Sequence, residues 1–180
     1  MKLKWFVALV TLAHVSLGSA GEHASPYAGH EQQEIKALSA EEVRGYLAGD
    51  GMAFAKAAEL NHYPGPSHVL EMADKLQLTD EQRRKTKAIF DKVKAEAKQL
   101  GKQLVEKERL LDSRFAAGTI SEDELKQLVA EIAVVQGELR ISHLQAHLAQ
   151  RSVLTADQIR DYDALRGYQG SGTQGQHGGH

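Results

Sequence analysis

Four helix starts between residues 39 and 158 are announced by one short pattern: Ser or Thr, two residues, then Glu or Gln. The copies are SAEE at Ser39, TDEQ at Thr79, SEDE at Ser121 and TADQ at Thr155. In such a capping box the first side chain accepts from the backbone N–H three residues on. The last side chain reaches back to the first N–H, so two orphan donors of a helix start are satisfied together. Three copies also carry an apolar pair that staples the entry of the chain: Leu38 with Val43, Ile120 with Leu125, and Leu154 with Ile159. At Thr79 the position facing Leu78 is Arg83, and no staple forms. A chain with four helix starts of this kind is committed to an all-α fold.

The segments between the caps set the lengths. From Thr79 to Ala117 there is no proline, and Gly101 is the only interior glycine. Phe90, Val93, Ala97, Leu100, Leu104 and Leu111 recur there at helical spacing. The pattern predicts a helix over 79–117, roughly 55–60 Å long at 1.5 Å per residue. AAGTIS then supplies a stop at Gly118 and a new cap at Ser121. Leu125, Leu128, Ile132, Val135, Leu139, Ser142, Ala146, Ala149 and Val153 follow in steps of three and four, predicting a second long helix over 121–152. So short a loop folds the two helices into an antiparallel hairpin. Upstream, GDG at 49–51 and YPGP at 63–66 break the chain into short helices at about 39–48, 52–62 and 66–76. A last helix covers about 156–167. No strand pattern of useful length is present. The expectation is a long antiparallel hairpin with short N-terminal helices packed at one end and a short C-terminal helix.

The ends read differently from the middle. Lys2 and Lys4, the 13-residue apolar run WFVALVTLAHVSL and the small residues of GSA form the pattern of a secretory signal over residues 1–20. An uncleaved N-terminal anchor is the alternative. Residues 21–37 are a polar, flexible leader, 38–168 a single helical domain, and 169–180 a disordered Gly/His tail. Cleavage leaves 20 basic against 24 acidic residues, a net charge of −4, with no basic patch. This excludes nucleic acid as a partner, and no membrane span remains after cleavage. There is no nucleophile motif, Gly-rich phosphate loop or HExxH pattern, so the chain is not read as an enzyme. No organic cofactor is expected. Cysteine is absent, which in an exported protein removes disulfides and thiolate ligands together.

A metal site must then be built from imidazole and carboxylate. His143 and His147 stand one helical turn apart, each one residue past a position of the packed stripe. Two partly exposed polar residues at a helix edge is the plain reading. The sharper one is a bidentate clamp for Zn, Cu or Ni, because neutral imidazoles four apart converge on one ion. Two ligands do not close a site. ELNHYPGPSHVLEM is the donor stretch: Glu59 and His62 precede the proline break, and His68 and Glu71 lie three apart beyond it. The candidate ligand set is His143, His147, His68 and Glu71, or the pair completed by a partner subunit. Met52 and Met72 read as core residues. His177 and His180 in the tail would bind metal only at an entropic cost.

The boxes LTDEQ at 78–82 and LTADQ at 154–158, at the two ends of a helical hairpin behind an export signal, resemble the CpxP/Spy superfamily of periplasmic proteins. Its relatives include zinc-resistance-associated proteins and CnrX-type heavy-metal sensors. GDGMAFAKAAELNHYPGPSHVLEMADKL is similar to the subgroup of periplasmic heavy-metal sensors and refolding chaperones. The resemblance covers about residues 66–168. It implies a hooked helical hairpin, a homodimer, a periplasmic location and no enzyme activity. It further implies either divalent-metal binding in a sensing or resistance role, or ATP-independent binding of unfolded client proteins. An envelope signalling protein is a third kind of partner it allows. Of the family's metal pattern, the HxxxH pair matches, at His143 and His147.

Overall fold

A computed structural model describes residues 25–168. The expected signal segment and the tail from residue 169, with His177 and His180, lie outside the described residues. Residues 26–29 are turns, and His30–Gln32 form a single 3-10 turn. Six α-helices follow: α1 Ala40–Ala48, α2 Lys56–Glu59, α3 Pro66–Glu71, α4 Asp80–Ala116, α5 Glu122–Val153 and α6 Ala156–Arg166. Among the described residues there is no strand, only an isolated bridge between Ile35 and Leu38. No described helix is long and apolar enough to cross a membrane.

The caps form where the sequence places them. Ser39, Thr79 and Thr155 close complete capping boxes with Glu42, Gln82 and Gln158. Ser121 accepts from the Glu124 N–H without the reciprocal bond. Gln82 and Gln158 do more than cap. The Gln82 amide donates to Gln158 Oε1 at 2.8 Å, and the Gln158 amide donates back to Gln82 Oε1 at 3.1 Å. Gln82 Nε2 also donates to the Val153 carbonyl and Gln158 Nε2 to the Leu76 carbonyl. The two LTxxQ boxes are therefore one knot, tying the start of α4 to the end of α5 and the start of α6.

α4 and α5 pack along their length as the hairpin. At about 1.5 Å per residue the 37-residue α4 is about 55 Å long. Ala97, Leu104, Ile132, Val135 and Leu139 bury one continuous core between the arms, with Leu100, Leu111, Tyr46 and Phe54 against it. The stripe differs from expectation at one point. Ala149 is exposed, and Gln150 takes the buried position, its amide donating to Thr86 Oγ1 at 3.1 Å.

Two upstream elements also differ. The helix expected at 52–62 is only Lys56–Glu59, because Met52 and Ala53 adopt left-handed φ of 42° and 63°, which a right-handed helix cannot contain. The helix expected at 66–76 ends at Glu71 and continues as turns to Gln77. α1 does not sit at the hairpin end. It crosses the middle of α4, where a Cβ on Gly101 would stand 2.1 Å from the Tyr46 carbonyl oxygen. Ile35 and Leu38 then pack on Val105, with Val43 and Tyr46 beside them. A separate core at the other end joins α3, the following turn and α6: Val69, Ala73, Leu76, Leu78, Leu154 and Tyr162. Contacts divide the chain after Glu31, so all these elements belong to one unit.

Candidate metal site

The imidazoles of His143 and His147 enter a cleft between α3, the 49–51 turn and the hairpin. The cleft is about 230 Å³ and is also lined by His68, Phe90, Asp50 and Lys94. Three of the four sequence-predicted ligands therefore meet. Glu71 does not: it is exposed and accepts from Ser67 Oγ at 3.2 Å, one turn back on α3.

His147 is held by a strained turn. His62 has φ +65°, in the left-handed region that is uphill for an L side chain. Its carbonyl accepts from Arg151 Nη1 at 2.5 Å, and the same guanidinium lies 4.3 Å from the centre of the Tyr63 ring. This turn presents the Tyr63 carbonyl to His147, whose Nδ1 donates to it at 2.7 Å. The proton is thereby fixed on Nδ1, and Nε2 carries the lone pair a metal needs. Beside it Gly65 leaves a hollow. A Cβ there would stand 3.2 Å from His147 Nε2 and 3.4 Å from Glu59 Oε2.

His143 is buried, not at a helix edge. Phe54 stacks on it with ring centres 6.1 Å apart, because the left-handed Met52–Ala53 turn folds Phe54 back over α5. Its Nε2 is buried with no hydrogen-bond partner. Burial holds its pKa below the ordinary 6.5, with smaller downward contributions from His147 and Lys94; Asp50 and Glu96 oppose them. Charging this ring in place is thus unfavourable. Below about pH 6.5 the unfolded chain takes up a proton here that the folded chain refuses, so folding stability is lost as the pH falls. Denaturation midpoints measured across pH 5–8 are expected to drop less steeply on the acid side in His143→Gln than in the unsubstituted protein.

The residue that sequence reasoning left outside the final set is Glu59. It is buried, and its Oε2 has no hydrogen-bond partner. His147 Nδ1 lies 3.6 Å from Oε2, and His68 Nδ1 3.5 Å from Oε1. Tyr162 Oη donates to Oε1 at 2.5 Å and Tyr168 Oη at 3.1 Å, while Arg166 Nε lies 3.4 Å away. The acid stands where four segments of the chain meet. Among the described residues no three His, Asp or Glu side chains already form a metal-holding arrangement.

Set against known proteins, residues 46–161 match a family model described as heavy-metal resistance. The chain belongs to the heavy-metal resistance family. The match runs from α1 into α6 and so contains every residue of the cleft. No curated protein and no solved structure matches.

Proposed function

We propose that this member of the heavy-metal resistance family binds a divalent transition-metal ion in the cleft, in a non-enzymatic sensing or sequestering role in the periplasm. The observation that carries the reading is the pair of orphaned buried donors, Glu59 Oε2 and His143 Nε2, in a site where His147 Nε2 also bears a lone pair. Burying an unpaired carboxylate oxygen and an unpaired imidazole nitrogen is costly unless something answers them. A cation does so for both. His143, His147, His68 and Glu59 would hold it; Glu71 would not without a new side-chain path. Nitrogen and carboxylate ligands without thiolate suit Zn²⁺, Ni²⁺ or Cu²⁺.

The bare Gly65 supplies the selective test. Its φ of −83° suits alanine, so Gly65→Ala adds one methyl group against His147 and Glu59 with no backbone strain. Zinc at a hundredfold excess over its dissociation constant is expected to stabilise the unsubstituted protein by about 2.7 kcal/mol. The gain, read as a shift in the denaturation midpoint, should be lost in His143→Ala/His147→Ala and reduced in Gly65→Ala. Equal gains in all three proteins would place the metal elsewhere.

A second reading has its own observation. Val134, Ile141 and Leu148 recur at intervals of seven on α5 and are 59%, 54% and 58% exposed. They face away from the buried stripe of Ile132, Val135 and Leu139, which makes α5 apolar on two sides. An exposed apolar line of this kind suits an ATP-independent chaperone. Chelated protein that suppresses client aggregation, and a Val134→Ser/Ile141→Ser/Leu148→Ser variant that does not, would support it.

A further inference from the structure

Glu59 has two faces. Oε2 turns toward His147 and the hollow at Gly65, whereas Oε1 is taken by the end of α6 and the residues beyond it. The charge near that oxygen is supplied by Arg166, 3.4 Å away. Arg166 in turn donates from Nε and Nη2 to Tyr168 Oη at 3.2 and 3.0 Å, and its guanidinium lies 5.5 Å from the Tyr168 ring centre. The polar groups of the last described turn are thus fastened at one carboxylate, while the Tyr168 ring packs against the core that holds Val69, Leu76 and Tyr162. In the turn before it Tyr162 also donates to Glu59 Oε1, but Asp163 adds a fastening of its own, pairing with His62 at 2.7 Å.

We propose that this fastening makes the end of α6 a reader of the cleft: a divalent cation captured at Glu59 Oε2 expels Arg166, and Arg166, Gly167 and Tyr168 come away from the body. The inference rests on the metal reading of the same site. Its physical basis is charge. Without metal, one carboxylate is matched by one guanidinium. A divalent ion held by neutral imidazoles over-compensates that carboxylate, and a guanidinium cannot relieve the repulsion by losing its proton. The cation and Arg166 therefore compete for Glu59, and by linkage whatever weakens one strengthens the other. Asp163, held by His62, limits the release to the residues after it.

The test uses the full chain, with zinc as the probe and a competing chromophoric chelator to read affinity. Arg166→Gln removes the competing charge and is expected to bind zinc about tenfold more tightly. Arg166→Lys keeps the charge and is expected to stay near the unsubstituted value. Hydrogen exchange gives a readout independent of affinity. The amides of Gly167 and Tyr168 donate to the Ala164 and Asp163 carbonyls at 3.1 and 2.8 Å. Zinc should speed their exchange in the unsubstituted protein, while in Arg166→Gln they should exchange fast with or without it. If zinc binds, the three proteins share one affinity and both amides keep their protection, the coupling to α6 is wrong and the metal site stands. If zinc does not bind the unsubstituted protein, both the site and the coupling fall.

Discussion

Leu104→Ala is expected to cost about 3–4 kcal/mol of unfolding free energy. Leu104 has no exposed surface and lies in the cluster with Ala97, Ile132, Val135 and Leu139, in the middle of the contact between the two arms. Truncation loses the transfer free energy of the removed carbons, and two long rigid helices give the cavity little room to collapse. Leu148→Ala is the matched control. The same atoms are removed from the same hairpin, but from a side chain that is more than half exposed, and the change should stay within about 0.5 kcal/mol. Chemical denaturation of both variants reads the difference. Similar costs at the two positions would mean that the seam between α4 and α5 is not where stability is concentrated.

Gly101→Ala sets two effects against each other. In an exposed helix interior the substitution stabilises by about 1 kcal/mol. Here the new Cβ would fall 2.1 Å from the Tyr46 carbonyl oxygen and 2.7 Å from its carbon, both backbone atoms that cannot swing away. Helix α1 must therefore shift off α4, carrying Tyr46 and the Ile35–Leu38 contact on Val105 with it. Overpacking of this kind costs roughly 1–3 kcal/mol and outweighs the propensity gain. The expected result is a net loss of stability, with amide exchange accelerated across Ala40–Ala48 while the α4–α5 seam keeps its protection. A more stable variant with α1 still protected would show that the helices do not cross this closely.

The hairpin was legible in the sequence because its determinants are local. Capping residues and a stripe in steps of three and four depend on neighbours within a turn or two, and the arms end within a residue or so of the expected 79–117 and 121–152. The upstream region was less legible. Nothing in the residue types of Met52 and Ala53 announces a left-handed turn, since neither is the glycine such a φ favours. That turn is what carries Phe54 over His143 and buries a ring whose spacing alone suggested a helix edge. The lone interior glycine of α4 was a signal of a different kind. A glycine kept in a long helix marks a close approach, and at Gly101 the approaching chain is α1.

The site was half legible for the same reason. His143 and His147 follow from helical spacing, and the break at Pro64 and Pro66 brings His68 into the same cleft. Glu71 shares a segment with His68 but turns to Ser67 instead. Glu59 draws its importance from Tyr162, Arg166 and Tyr168, more than a hundred residues away along the chain, and no local pattern records that meeting.

X-ray absorption at the zinc edge, on the unsubstituted protein loaded with one equivalent, tests the central claim most directly. The account predicts a first shell of nitrogen and oxygen at about 2.0–2.2 Å with the outer-shell scattering of two or three imidazoles. That scattering should weaken in His143→Ala/His147→Ala, and Glu59→Gln should lower the affinity. A zinc spectrum without imidazole scattering, or one that the paired histidine substitution leaves unchanged, would contradict it.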